Sequence, residues 1–368
     1  MAGVLEGVKV VEFGQNLAGP YCGQILAFMG AEVIKIEKPE GDDARRWGPP
    51  FIDGDGVGFI ALNRGKKSLT VDLNDAKDKQ ALLDLVGGAD VFLHNLRAGV
   101  PEKFGIDGPA LTGRFPRLVY ADLSAFGHTG PWKLRPGYEP LIQAEAGLVS
   151  VNGDPSGPSA RIGVSIIDLS TGMWTAIGIL GALNRRHVTG QGGLVQTSLF
   201  ESGLMWLSNH VAAFTATGSV PPRQGTGHIT LTPYQAFECS DGLLMVTPGN
   251  ERLWGRFAEA LGKPDWPNDP RFRTNADRAR HRDFLIDSVN AIMRNDTRAA
   301  WAARLQAVGV PCGPINEVPE IVQLAQTEAL GMFLPYGAAP HTLFHALPFS
   351  IDGARAGFPA VAPKIGEH

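Results

Sequence analysis

The order of elements in the chain predicts an α/β protein, with a parallel sheet flanked by helices and a smaller α+β part behind it. Three observations carry that reading. Apolar runs of strand length alternate with helical segments from Val8 to Ser124, and the turns between them are polar or glycine-rich. Beyond Thr217 the composition shifts to Gly, Pro and Thr before short strands and helices resume. Strands that alternate with helices imply a parallel sheet covered on both faces. Such a sheet places ligands at the carboxyl ends of its strands.

The first strand is VKVVEF (8–13), a short apolar run. GPYCGQILAFM (19–29) follows as a helix with Pro20 in its first turn, where a missing N–H costs nothing, and Gly30 ends it before the strand AEVIKIE (31–37). SLTVDL (68–73) is the next strand. DAKDKQALLDLV (75–86) is a helix closed by Gly87 and Gly88, and VFLHNL (91–96) and RLVYADLS (117–124) are strands. RIGVSIIDLSTGMWTAIGILGAL (161–183) reads as a long apolar helix with Asp168 at its mouth. GSVPPRQGTGHITLTP (218–233) has the composition of a linker. YQAFEC and GLLMVTP are short strands, and helices are expected over 250–262, 278–294 and 297–309, with Asn250 and Thr297 as caps. The expected division is a large domain over 1–200 joined by 332–368, a linker over 201–224 and a small α+β domain over 225–331. The apolar, turn-rich tail is expected to return to the large domain.

A chain of 368 residues is too long for one ordinary core. With 44% hydrophobic and 19% charged residues it has a soluble globular composition. The net charge of −4 supplies no field for a nucleic-acid backbone, so nucleic acid is not an expected partner. Cys22, Cys239 and Cys312 are far apart and lack metal-ligand spacing, so they read as reduced thiols. The start MAGVLEGVKVVEF lacks the regions of a signal peptide, and no stretch is expected to reach membrane-span length, so the expected location is cytoplasmic, away from any membrane.

The turn GQNLAGP invites comparison with a dinucleotide fingerprint, with Glu37 at the place of a ribose-binding acid. It lacks the G-x-G-x-x-G spacing, and Pro20 stands where N–H groups would approach a pyrophosphate. Asp168 has two readings. It could be a helix N-cap, since Asp often satisfies the free N–H groups of a first turn. It could instead be a reactive carboxylate, because Gly172, Gly178 and Gly181 leave room beside it.

Six segments in order, AGPYCGQILAFMGAEVIKIEKPEGDDARRW, LNRGKKSLTVDL, DVFLHNLRAGV, SAFGHTGPW, RIGVSIIDLSTG and GVPCGPINEV, resemble the class III CoA-transferase family over almost the whole chain. That family includes formyl-CoA and carnitine CoA-transferases. The resemblance implies a Rossmann-like large domain built from both chain ends, a small domain from the middle, and a homodimer of two interlocked rings. It implies that Asp168 attacks an acyl-CoA thioester, forms an acyl anhydride and then an aspartyl-CoA thioester, and passes CoA to a carboxylic acid. A carboxylate ionised at neutral pH suits that work. Acyl-CoA and the acid are then substrates, and no metal or tightly bound cofactor is expected.

By the same resemblance the CoA contacts are Leu17, Ala18, Lys38, Leu73, Asn74, Asn95, Leu96, Arg97 and Lys103, with Tyr138 and Glu139 near the thioester. Taken singly, Asn95 could cap a turn, the cations could be solvated surface charges, and Glu139 could be a helix-start charge. The chain departs from its relatives at His94, where many have Glu, at Leu96, where they have Phe, and at RQGTGHITLTP, where formyl-CoA transferases have a run of glycines. These departures speak against oxalate as acceptor. The chain also ends at KIGEH, where relatives continue into a last helix, so C-terminal packing is expected to differ. Two alternatives stand beside the transferase. An α-methylacyl-CoA racemase needs a His and an Asp as an acid–base pair, whereas Gly137-Tyr138-Glu139 occupies the place of its Gly-His-Asp run, and His128 lies in a family-wide turn. A non-catalytic CoA-binding protein would use Asp168 only as a cap.

Overall fold

Six parallel strands form the main sheet: β1 (Lys9–Phe13), β2 (Glu32–Glu37), β3 (Lys67–Thr70), β4 (Val91–His94), β5 (Val119–Ser124) and β6 (Gly193–Ser198). The computed structural model describes residues 3–337, 339–357 and 360–368. The strands run in the order β3-β2-β1-β4-β5-β6 with every neighbouring pair parallel. The order reverses between β1 and β4, and a crevice at such a reversal is where open α/β sheets bind ligands.

Period-2 alternation sets the two faces of the sheet. Val11 and Phe13 of β1 join Ile36, Phe92 and Tyr120 in one core, while Glu12 points to the other face beside its register partner Lys35. Helices α1 (Ala18–Phe28), α2 (Val57–Asn63), α3 (Ala76–Gly87), α4 (Val100–Phe104), α5 (Gly108–Arg114), α6 (Glu139–Glu145), α7 (Ile166–Thr189) and α8 (Leu199–Trp206) belong with this sheet. Asp75 caps α3 by accepting from Lys77 N and Asp78 N, and the helix stops at Gly88 as expected.

Several expectations need correction. The strand expected over 68–73 ends at Thr70, so Leu73 and Asn74 lie in the turn before α3. The sixth strand was not read from the sequence. Its half-exposed, polar pattern is that of a sheet edge, which carries little apolar signal. Residues 201–206, expected to open the linker, lie in α8, whose cap Ser198 accepts from Glu201 N at 3.1 Å. Helix α7 also corrects the expectation that nothing reaches span length. It runs 24 residues with a mean hydropathy of 1.5 over its most apolar window. Its inner face, including Ile167, Ala176, Ile179 and Leu183, is buried, and the helix packs on α1, β5, β6 and α8. It lies along β5 and β6 at one edge of the sheet with its outer face exposed.

By contacts the chain forms two units, one of Met1–Leu148, Ile162–Ser208 and Leu324–His368, the other of Val149–Arg161 and Asn209–Gln323. In the first unit the tail forms the pair β10 (Phe333–Tyr336) and β11 (Ala339–His345), whose Tyr336 and Phe344 cluster with Phe59 and Ile60. His368 N donates to Ser68 O at 3.1 Å and Arg45 Nη2 to Pro363 O at 3.0 Å, so the last residues lie along the β3 edge. The second unit holds α9 (Ser208–Thr217) from Asn209 on, an antiparallel sheet of β7 (Gln235–Cys239), β8 (Gly242–Val246) and β9 (Cys312–Pro314), and helices α10 (Glu251–Ala260), α11 (Arg282–Met293) and α12 (Arg298–Ala307). Asn250 and Thr297 cap α10 and α12 through Leu253 N and Ala300 N. The helix expected from 278 is interrupted at His281 and starts at Arg282, after a separate turn of helix capped by Thr274. Cys22 and Cys239 are buried and all three cysteines are free.

Candidate active site

The carboxyl ends of β1 and β2 carry a buried ionic cluster. Lys35 Nζ lies 2.9 Å from Asp42 and 3.5 Å from Glu12, and Lys66 Nζ lies 2.7 Å from Glu12, all with fully buried side chains. Lys66 also donates to Pro20 O and Asn63 Oδ1, at 2.8 and 2.9 Å. Such charges are tolerable without water only when each is paired and hydrogen-bonded. Gly23 of α1 faces Glu12, and a Cβ there would overlap the carboxylate. Glu37 belongs to the same region. Arg45 grips both its oxygens, at 2.6 and 2.8 Å, while Ser68 Oγ and Asp42 N donate to it. Glu37 is therefore consumed by the protein itself, which removes the ribose-binding role weighed for it.

Above this cluster the loop Gly14–Leu17 leads into α1. Asn16 takes a φ of 64°, a left-handed conformation that Asn tolerates better than most residues. Its Oδ1 is buried with no hydrogen-bond partner among the described residues. Leu17 is the N-cap of α1 and Ala18 its first residue. Ala18 O meets α7 at Gly172, where a Cβ would fall 2.7 Å from it. This close approach needs a glycine, and it sets the loop one turn of helix from Asp168.

Asp168 is not the cap of α7. Ser165 holds that position, and Asp168 is the third residue of the helix, half-buried in its first turn. Burial, and after it the negative charge of Glu139, push its carboxyl up to about 7. Burial thus favours the protonated form of Asp168 more than in an ordinary surface carboxylate. Glu139 is buried at the start of α6, where Gln143 Nε2 donates to its Oε1. Gln143 is fixed in turn by Ile162, accepting from its N at 2.8 Å and donating to its O at 3.1 Å. Tyr138, the N-cap of α6, is exposed. A carboxyl that titrates near neutrality beside a second carboxylate can serve as a nucleophile or as an acid–base group.

The remaining expected contacts are distributed along the strand ends. Lys38 is bound 2.9 Å from Asp43, so its charge is already shared. Asn74 is exposed, and its N and Nδ2 donate to Asp72 Oδ1. Leu96 packs into the sheet core, Arg97 is exposed, and Lys103 is exposed on α4 with its ammonium 4.9 Å from the Phe104 ring centre. Asn95 uses its carboxamide on the backbone of Gln15, accepting from Gln15 N and donating to Gln15 O, both at 2.8 Å.

One group was not singled out from the sequence. Register places Asp122 of β5 beside His94 of β4, and His128 Nδ1 lies 3.5 Å from Asp122. His94 Nε2 is 2.6 Å from Tyr120 Oη, and burial together with His128 holds the ring down to about 3, so it is neutral. Burial pushes Asp122 up to about 6, with His128 opposing and Glu102 adding to the rise. The group borders a cavity of about 200 Å³ that Leu96, Ser124 and Lys133 also line. His94 thus puts a neutral ring into a buried position. Strand register brings His94 to Asp122, and the loop after β5 returns His128 to the same carboxylate.

The family described as CoA-transferase family III matches residues 5–368. The chain is 35% identical to the acetyl-CoA:oxalate CoA-transferase of Acetobacter aceti, covering 99% of this chain and 94% of the relative. It is 33% identical to the succinate–glutarate CoA-transferase of Agrobacterium fabrum, covering 99% and 93%. Its fold matches the crystal structure of a CAIB/BAIF family protein from Brucella suis with a TM-score of 0.86 at 35% identity, over 100% of this chain and 98% of that one. The protein is a CoA-transferase, an enzyme that acts on carboxylic acid acceptors. Within that class, the chain belongs to CoA-transferase family III.

Proposed function

We propose that this enzyme moves CoA from an acyl-CoA donor to a carboxylic acid through covalent intermediates on Asp168. The observation that carries the reading is the place of Asp168: inside the first turn of α7, past the cap position held by Ser165, against Glu139, and lifted to about 7. Once ionised, a carboxylate of that basicity is a better nucleophile than an ordinary one. An oxygen of Asp168 attacks the thioester carbonyl and the C–S bond breaks, leaving an acyl-aspartyl anhydride and CoA thiolate. The thiolate attacks the aspartyl carbonyl and expels the donor acid as its carboxylate, giving aspartyl-CoA thioester. The acceptor carboxylate attacks this thioester, CoA leaves as thiolate, and the thiolate takes the acceptor acyl group from the new anhydride. Asp168 is regenerated and no redox change occurs. The names of the relatives point to small dicarboxylic acids as acceptors, and the oxalate enzyme among them weighs against the expectation that set oxalate aside. Incubation with acetyl-CoA or succinyl-CoA alone, followed by borohydride or hydroxylamine trapping and peptide mass spectrometry, should place an adduct on Asp168. An adduct mapping elsewhere would refute the scheme, and exchange of the α-proton with solvent without transfer would favour a racemase.

The reading includes CoA held along the strand ends in the cytoplasm, with Leu17, Ala18, Lys38, Leu73, Asn74, Leu96, Arg97 and Lys103 as candidate contacts, whereas Asn95 spends its carboxamide on Gln15. Arg97→Ala is expected to weaken CoA binding about ten-fold, as for loss of one charge-assisted bond to phosphate. Lys38→Ala should cost less because Asp43 already shares its charge. Titration calorimetry checks both, and wild-type affinity in the two variants would reduce these residues to surface charges.

The reading also includes the interlocked, Rossmann-like homodimer. Trp174 and Ile177 of α7 and Leu204, Met205 and Trp206 of α8 are exposed, more large apolar surface than an isolated subunit normally leaves to water. Threaded rings separate only by unfolding. Sedimentation should therefore give a dimer that persists on dilution, and a concentration-independent monomer would sink this part of the reading.

A further inference from the structure

The loop between β1 and α1 is held by side chains from three other places in the chain. Lys35 of β2 donates to Gly14 O at 2.6 Å. Asn95, just past β4, binds Gln15 N and Gln15 O. Asp42 accepts from Asn16 N at 3.1 Å. The two peptide units 14–15 and 15–16 are thus bound on both sides, by residues that the loop does not itself contain. Asn16 is kept in its left-handed conformation by these surroundings, and strain that is over-determined in this way is characteristic of functional loops. The Asn95 clasp spans β1 and β4, where the strand order reverses. The same loop ends at Ala18, against Gly172, one turn from Asp168.

We propose that Asn95, with Lys35 and Asp42 behind it, is a positioning residue that holds the 14–18 loop against the reacting thioester. The proposal rests on Asp168 being the nucleophile. Both ends of the Asn95 carboxamide are already engaged with Gln15, so its contribution is to fix the loop before substrate arrives. A loop fixed in advance spares the bound state the cost of ordering it and keeps the thioester aligned with the carboxylate.

The test compares Asn95→Ala, Asn95→Asp and Asn16→Gly with wild type in kcat, KM for acyl-CoA, CoA affinity by calorimetry and thermal unfolding. For Asn95→Ala the expected result is a kcat lower by about 10- to 100-fold, the size of a small misalignment, with KM changed less than about three-fold. Asn95→Asp should fall between, since a carboxylate still accepts from Gln15 N but cannot donate to Gln15 O. Asn16→Gly adopts a positive φ without cost, so it folds, and it loosens the loop from within. It should lower kcat as well. Raised KM and weakened CoA affinity with intact kcat would make Asn95 a direct CoA contact and overturn the proposal. Unchanged kinetics in Asn95→Ala or in Asn16→Gly would overturn it too. The nucleophile is tested separately: an active Asp168→Asn variant refutes that reading whatever Asn95 does, whereas slower formation of an adduct still on Asp168 in Asn95→Ala supports the positioning role.

Discussion

Asp168→Asn should abolish CoA transfer, by at least about 10⁴-fold in kcat, while the protein folds and binds CoA. Asn is nearly isosteric and caps a helix as well as Asp does, so a merely structural Asp168 would survive the change. The variant should in fact be more stable than wild type at pH 8. The folded carboxyl titrates at about 7, above the unfolded value near 3.9, so the native state binds the proton more tightly. Stability is therefore lost as pH rises from about 4 to about 7, and the whole penalty is present above that. Removing the charge returns on the order of 1–3 kcal/mol at pH 8, allowing for solvent screening of a half-buried group, and almost nothing at pH 4. The same titration sets an acid limb with a midpoint near 7 in kcat/KM. Steady-state assays and urea unfolding at pH 4, 6 and 8 check all of this. Retained transfer, or a variant less stable than wild type at pH 8, would overturn it.

Lys35→Met should be the most destabilising single change of those considered, at about 3–5 kcal/mol, comparable with the net stability of many domains. It leaves Asp42 buried without its cation, while Glu12 keeps only Lys66. Burial alone would raise the Asp42 and Glu37 carboxyls. The charge of Lys35 and hydrogen bonds outweigh burial in both, with Arg45 the leading donor to Glu37, so both titrate below their ordinary values. Groups with depressed values contribute stability above the unfolded carboxylate range, and that contribution is lost as pH falls through the folded values. Burial opposes the charged form of Lys35, yet Asp42 and Glu12 raise it, so its contribution is complete at neutral pH and is lost only in strong alkali. The gap between variant and wild type should thus be widest near pH 7 and narrow in acid, as the uncompensated carboxyls of the variant take up protons. Denaturant titrations at pH 4 and 7 measure the gap, and a gap that widens in acid would refute the account.

Much of the first unit was legible because its strands and helices announce themselves locally. VKVVEF and AEVIKIE carry Val11, Phe13 and Ile36 toward the core, and in the second unit Asn250 and Thr297 cap the helices they precede. The edge strand Gly193–Ser198 was not legible, since half of it faces water and periodicity has little apolar content to report. The extent of α8 was obscured by the small and polar residues around it. Asp168 could be found by resemblance, but two roles for it remained open, because capping and nucleophilic positions differ by less than one turn of helix.

The sequence by itself determined which segments become strands and helices of the parallel sheet, where most of them stop, and which family the chain resembles. Those are properties of hydrophobic period, caps and local motifs, read over windows of a few residues. Tertiary structure alone decided that Asn95 spends its carboxamide on Gln15, that Glu37 is consumed by Arg45, and that His94, Asp122 and His128 meet at one cavity. It also decided that Asp168 titrates near neutrality. Each of these depends on burial and on side-chain geometry that a local sequence pattern does not report, and the free energy of a charge or a hydrogen bond is set by what surrounds it in space.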